Sequence, residues 1–353
     1  MPRAPRRSQA RHGWLLLALG GLLLAGCATS SVGAGDRGHR SRPERTVSPE
    51  KSSSTSSAPS TTANSVAKKK VVLLHPLPSP APLAPFPGEG GGGAWHRAGR
   101  VVEGRPAVFE TTLTPPGSTD PAGIAWMDPR LLRAQLYSGS LSPGGGPWHY
   151  TAPISKTAAR TLVAAFNGGF KFPAAEGGYY SEGKLVFPLR PGGASLVIYK
   201  DGTATVGAWG TGGLTMSAKV AAVRQNLTLL VDNGRPVPGL NPNDTSVWGA
   251  TLGGTPYVWR SGIGVTADGA LVYVYGPNLD IVQLAALLAR AGCVRAMTLD
   301  MNPDWTVFVT FDAPSGVPAT PADGTSLLPG TVQSAATFFA PWWARDFITM
   351  SAR

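Results

Sequence analysis

Beyond residue 100 the apolar positions follow two different periods, and the switch between them sets the expected elements. Short apolar or alternating runs at residues 101–103, 107–113, 124–127, 131–137, 164–166, 196–199, 203–206, 228–231, 262–265 and 271–275 have the length and β-branched content of strands. Asp201-Gly202, Asn233-Gly234 and Asp268-Gly269 follow or separate such runs. Those dipeptides favour the positive φ angles of tight hairpin turns, so the middle of the domain is expected to be largely antiparallel. A helical period occurs in two places. Residues 155–163 carry Ser155 as a possible N-cap and Ala158, Ala159, Leu162 and Val163 on one face. Residues 279–291 repeat Ile281, Leu284, Ala285, Leu287 and Leu288, with Asp280 at the start and Gly292 just past the end. The second helix feeds residues 294–300, an apolar run that stops abruptly at Asp300. The pattern predicts an α+β (mixed α/β) fold, with antiparallel-rich sheets and a few packed helices.

The first quarter of the chain has neither period. Arg3, Arg6, Arg7 and Arg11 precede an apolar run over residues 14–26, the layout of an export signal. That run is short of the roughly 20 residues needed to span a bilayer. It ends in Leu24-Ala25-Gly26-Cys27, which is similar to the lipobox of bacterial lipoproteins. Residues 1–27 are therefore expected to be a lipoprotein signal peptide, with Cys27 as the lipidation site and membrane anchor. Residues 28–94 are Ser/Thr-rich, then Pro-rich, then Gly-rich, a composition expected of a disordered spacer. The folded domain is expected over 95–353, extracytoplasmic, on the outer face of the bacterial cytoplasmic membrane.

Charge narrows the partners. The net charge of +11 resides almost wholly in residues 1–100, with 14 Lys and Arg against four acids; residues 101–353 hold 17 against 16. A nearly neutral body lacks the clustered basic face that nucleic acid requires, so no nucleic-acid partner is expected. Cysteine and histidine narrow the chemistry. Only Cys27 and Cys293 occur, and only His96 and His149 lie beyond residue 75. A thiol or serine triad and a His-rich zinc site are disfavoured, and Cys293 reads as a small buried hydrophobe. Asp300, Asn302 and Asp304 alternate like calcium ligands, but Trp305 and Phe311 stand where such a loop needs glycine and an acid. No cofactor is expected, with a divalent cation on these oxygens as a minor alternative.

Three stretches, in order, resemble the phosphodiester glycosidase domain of the uncovering-enzyme family, which removes N-acetylglucosamine from a sugar phosphodiester. They are Phe166-Asn167-Gly168-Gly169-Phe170; Arg260-Ser261-Gly262-Ile263-Gly264-Val265 with Asp268-Gly269; and the helix of residues 280–291 with the strand ending in Leu299-Asp300. The family usually continues Leu-Asp-Gly-Gly-Gly-Ser. Here the chain reads Leu299-Asp300-Met301-Asn302-Pro303-Asp304-Trp305. Met301 and Pro303 do not rebuild a glycine nest of N–H donors.

The resemblance implies hydrolysis of a sugar 1-phosphodiester, where the leaving group is already acidic. Such a site needs a carboxylate, a cation and N–H donors. Asp300 is the expected carboxylate, Arg260 the expected phosphate clamp and Asn167 the expected amide, a catalytic set of three. Gly168, Gly169, Asn302, Asp304, Arg224 and Asn226 are the expected substrate-binding residues. After Asn167, Gly168 and Gly169 free the backbone for positive φ and for close approach of a ligand, although spacing alone favours a simple tight turn. The substrate is expected to be a glycan or sugar phosphate. A glycan-binding envelope lipoprotein without turnover is the competing reading, motivated by the lost glycine turn. The aromatic-rich residues 338–347 are expected to be core packing.

Overall fold

In a computed structural model, residues 75–353 are described; Cys27, the expected signal peptide and residues 28–74 of the expected spacer lie outside them. Eighteen strands among the described residues form three sheets, and every strand pairing is antiparallel. The expectation of antiparallel sheets is met, while the α+β description holds only in part. Among the described residues Ile281–Arg290 is the one α-helix longer than about a turn; the α-helices Lys156–Ala159 and Thr245–Trp248 span four residues each.

The largest sheet has eight strands, in the order His96–Ala98, Val108–Leu113, Ala122–Met127, Leu271–Leu279, Val258–Thr266, Cys293–Thr298, Leu229–Asp232, Arg235–Pro236. A five-stranded sheet orders Gly324–Ser326, Phe308–Phe311, Leu162–Asn167, Phe347–Ala352 and Leu132–Tyr137. The other orders Lys184–Phe187, Tyr179–Ser181, Val220–Gln225, Ala194–Tyr199 and Ala204–Ala208. All three sheets contribute to one core, for example Tyr273 and Met297 from the first, Phe166 and Phe308 from the second and Leu196 and Ile198 from the third.

The hairpins fall where their turn dipeptides stand. Asn233 and Gly234 adopt φ of 50° and 76° between Leu229–Asp232 and Arg235–Pro236. The long helix is also local in origin. The Asp280 carboxylate accepts from Gln283 N (2.7 Å) and the Gln283 amide oxygen accepts from Asp280 N (3.1 Å), a capping box. Its apolar stripe lies on the eight-stranded sheet with Cys293, which is fully buried, its thiol pushed up by burial. The helix joins two strands that both run antiparallel to Val258–Thr266 between them, so those two strands are mutually parallel. This crossover is the α/β element that the sequence pattern suggested. Asp300 follows its last strand.

Two local expectations change. Ser155 does cap a helix, accepting from Ala158 N at 3.2 Å, but that helix ends at Ala159 and residue 162 already begins a strand. Leu162 and Val163 are claimed by sheet pairing, where their apolar side chains are buried on both faces. Residues 75–94 also do not stand off as spacer. Leu77 and Phe86 are buried in the helix-side core, Leu77 N donates to Asp128 Oδ2 (2.7 Å), and Arg290 lies 4.7 Å over the Phe86 ring. A few apolar side chains inside a Pro-rich stretch suffice to seat it on an exposed apolar face.

Candidate active site

The strand Leu162–Asn167 delivers the Asn-Gly-Gly-Phe turn to the place where Cys293–Thr298 delivers Asp300. Antiparallel pairing of Phe347 with Asn167 brings Arg345 and Asp346 to the same place. The site is thus built from ends of strands in different sheets.

Asn167 is consumed by that junction. Its carbonyl oxygen accepts from Tyr273 OH (2.6 Å) and Val307 N (3.1 Å), and its amide donates to Gly168 O (2.7 Å) and Ser261 Oγ (3.0 Å). Ser261 Oγ in turn accepts from Asp300 N (3.0 Å) and donates to Asp300 O (3.1 Å). Asn226 accepts from Phe170 N (3.0 Å) and donates to Thr298 O (3.1 Å) and Leu299 O (2.9 Å). Both amides are buried and use their capacity on the fold, so they hold Asp300 in place rather than meet a ligand.

The two glycines serve space rather than backbone freedom, since neither is among the positive-φ glycines. A Cβ on Gly168 would lie 2.0 Å from Asp346 Oδ2, and one on Gly169 would lie 2.9 Å from Arg224 Cζ. The ligand expected to approach there is replaced by the protein's own buried ion pair. Arg224 Nε and Nη2 grip Asp346 Oδ2 and Oδ1 at 2.9 and 3.2 Å. Arg224 also donates to Gln225 O and Phe170 O and lies 4.5 Å over the Phe172 ring. Gly168 N donates to Asp346 O (2.9 Å), so that N–H is not free for substrate. Arg224, expected to bind substrate, is therefore a scaffold residue.

Asp300 faces a cleft of about 340 Å³ lined also by Phe170, Lys171, Met301, Asn302, Trp305 and Arg345. Its Oδ2 accepts from Arg345 Nη2 at 2.5 Å and its Oδ1 from Met301 N at 2.8 Å. Burial pushes the Asp300 carboxyl up to about 6, against the pull of Arg345 and the Met301 N–H. A carboxyl poised near neutrality in a cleft suits a base or nucleophile. Arg345 Nη2 also donates to Gly169 O (2.9 Å), its guanidinium lies 4.8 Å over the Trp305 ring, and its buried Nε has no partner among the described residues.

Arg260 does not join this pair. Its Nε donates to Leu279 O (2.9 Å), its Nη2 to Pro256 O (3.0 Å), and its Nη1 meets Met301 Sδ (3.3 Å). Burial lowers the guanidinium to about 10. Asn302 closes the turn that replaces the glycine nest: its Oδ1 accepts from Asp304 N (2.8 Å) and its carbonyl from Trp305 N (2.9 Å). Asp304 is exposed and does not line the cleft. Of the expected set, Asp300 and Asn302 reach the cleft, while Asn167, Gly168, Gly169, Arg224 and Asn226 form the scaffold around it. Arg345, Trp305 and Lys171 were not anticipated. The available signal was an Arg-Asp pair inside the aromatic run of residues 338–347, where two adjacent charges need a reason. That run is otherwise core as expected, with Phe338, Trp343 and Phe347 buried and Trp342 exposed.

No three His, Cys, Asp or Glu side chains gather to hold a metal ion among the described residues. A roomier cavity of about 700 Å³ runs along Tyr199, Lys200, Asp201, Ser217 and Lys219, but Asp201, its one acid, is tied to Thr203. The 340 Å³ cleft holds the poised carboxylate and is the better candidate.

Residues 160–316 match the phosphodiester glycosidase family. Arg345 and Asp346 lie beyond the matched stretch. A comparison with curated proteins finds no match. Among solved structures, the chain is similar to the catalytic domain of zebrafish N-acetylglucosamine-1-phosphodiester alpha-N-acetylglucosaminidase, auto-inhibited by its pro-peptide, at 17% identity and a TM-score of 0.43, over 74% of this chain and 88% of that one. It is also similar to a hypothetical protein from Synechocystis at 14% identity and a TM-score of 0.41, over 71% of this chain and 63% of that one.

Proposed function

We propose that the protein hydrolyses sugar phosphodiesters, releasing a sugar from its 1-phosphodiester, a reading supported by the match of residues 160–316 to the phosphodiester glycosidase family. The observation that supports this most is Asp300, a carboxylate held near neutrality on a cleft floor between a guanidinium and a backbone N–H. In its ionised form Asp300 either attacks the anomeric carbon as the bond from that carbon to the phosphate oxygen breaks, giving a glycosyl ester that water then hydrolyses, or takes a proton from a water that attacks the same carbon as the phosphate leaves. Its partner Arg345 offers the cation nearest that carboxylate for the phosphate leaving group, and Lys171 offers a second at the cleft wall. Trp305 and Phe170 give the sugar apolar faces. Ser261, Asn167 and Asn226 keep the Asp300 backbone still, which catalysis by positioning requires.

The export-signal layout of residues 1–26 and the lipobox-like Leu24-Ala25-Gly26-Cys27 support an extracytoplasmic, lipid-anchored protein, with cell-wall polymers as the proposed substrates. Replacing Cys27 by Ala is expected to move the protein from the membrane fraction to the soluble one; unchanged membrane association would count against the anchor. For the chemistry, the full chain should release free sugar from a UDP-sugar or another sugar 1-phosphodiester. Asp300→Asn should lower turnover by about 10²–10⁴-fold. Full activity in that variant would remove Asp300 from the mechanism.

A second reading is glycan binding without turnover. It is supported by the Met301–Trp305 turn, which occupies the place of the glycine nest and closes on itself through Asn302. Calorimetry with wall polymers would then give a binding isotherm while the sugar-release assay stays silent.

A further inference from the structure

Arg260 is an unusual buried cation. It is 2% exposed, yet no carboxylate among the described residues lies within ion-pairing distance of it. Two of its three nitrogens are fixed by backbone carbonyls, Leu279 O and Pro256 O. The third, Nη1, has only a thioether, Met301 Sδ at 3.3 Å, which is a weak acceptor. Burial disfavours the charged form and outweighs the pull of the Asp280 carboxylate, which lies beyond ion-pairing distance, so the guanidinium is lowered to about 10.

Met301 connects this cation to the cleft, its sulfur on Arg260 Nη1 and its side chain in the cleft lining. Met301 lines the cleft beside Asp300, while Arg260 does not. Its terminal methyl is seated against Gly249 and Phe170, where a Cβ on Gly249 would lie 2.5 Å from Met301 Cε and 2.9 Å from the Phe170 ring. An unbranched thioether with three rotatable bonds is well suited to leave and re-enter such a seat.

We infer that Met301 is the specificity-determining residue of this cleft: it screens Arg260 from ligand, and when it turns aside Arg260 Nη1 becomes a subsite for a phosphate oxygen. The inference deepens the phosphodiester reading by naming where the phosphate goes. Arg345 can give the phosphate only part of its fork, because its Nη2 is already committed to Asp300 and Gly169 O, so a second guanidinium would complete the site. Arg260 has the reverse properties: its geometry is fixed, the Asp280 carboxylate that favours its charge lies beyond ion-pairing distance, and its Nη1 donates only to a movable thioether. A monoanionic diester reaching Nη1 would supply the close counter-charge that Asp280, beyond ion-pairing distance, does not.

The test is phosphate binding, which does not depend on turnover. Calorimetry on the full chain should show inorganic phosphate binding at least tenfold more tightly to Met301→Ala than to the wild type. Met301→Leu keeps the bulk of the screen and should stay within about twofold of the wild type. Arg260→Lys in the Met301→Ala background should lose most of the gain. Should that double variant fail to fold, a crystal of Met301→Ala soaked in phosphate gives the same answer. Phosphate within hydrogen-bonding distance of Arg260 Nη1 is the expected result. Equal affinity in the wild type and Met301→Ala, or phosphate bound only at Arg345 or Lys171, overturns the inference. A gain in binding with no sugar release from any diester would leave the subsite standing and remove the hydrolase reading instead.

Discussion

Two Arg–Asp pairs lie on either side of the Gly168-Gly169 turn, and they differ in almost every respect. Arg224–Asp346 is bidentate, its side chains are at most 1% exposed, and Arg224 Nη1 and Nη2 also reach carbonyls. Arg345–Asp300 is held through one nitrogen at the edge of a cleft, with Arg345 Nε unpartnered and the Asp300 carboxyl raised to about 6. The first pair has nothing left to give a ligand. The second is under-satisfied and within reach of solvent. Charge identity alone does not separate a scaffold from a working group; the number of satisfied bonds and the access do.

The contrast is broken most directly by removing one acid from each pair. Asp346→Ala leaves the Arg224 guanidinium buried and uncompensated, and should cost about 3–5 kcal/mol in urea unfolding. Asp300→Ala should cost clearly less, because its carboxyl is costly to ionise in place. Equal losses would show that both pairs are structural.

A pH series sharpens the same point. The Asp300 carboxyl is raised from 3.8 to about 6, so the folded protein holds its proton more tightly than the unfolded chain does. Its contribution to stability is fully present below the unfolded value and is lost as pH rises through about 6, a loss of up to about 3 kcal/mol. Asp300→Asn removes that titration, so the variant should gain on the wild type between pH 4 and pH 7. Activity should rise over the same window as the carboxylate forms, and Arg345→Gln should shift the rise to higher pH by removing a charge that favours ionisation.

The glycines separate the two pairs at the level of space. Gly168→Ala drives a Cβ onto the Asp346 carboxylate and should destabilise by about 1–3 kcal/mol. Gly169→Ala meets the end of the Arg224 side chain and should cost less. The smallest effect is expected from Trp305→Ala, which removes the ring under Arg345 at about 0.5–2 kcal/mol. It should weaken substrate binding more than folding.

Most of the local structure was legible in the order of residues. Asn-Gly and Asp-Gly turns marked the hairpins, and Asp280 and Gly292 bracketed the helix, because turn and cap chemistry act within a few positions. The strand-end carboxylate was legible for the same reason. The roles of its neighbours were not. Asn167, Arg224 and Asn226 are polar groups beside strands, which suits a ligand site and a satisfied core equally well. Only the partners that the fold supplies, Tyr273, Asp346 and Thr298, decide between them.

Asp300, the apolar stripe behind it and the glycines ahead of it were thus determined by the sequence itself, since each depends on residues adjacent in the chain. The cation at its side was decided by tertiary structure. Arg345 lies 45 residues downstream, and it meets Asp300 only because the strand Phe347–Ala352 pairs in one register with Leu162–Asn167. A slip of one residue would turn every side chain of that strand to its opposite face. Register is a property of the packed sheets, set by which face is buried, so it cannot be read from either strand alone.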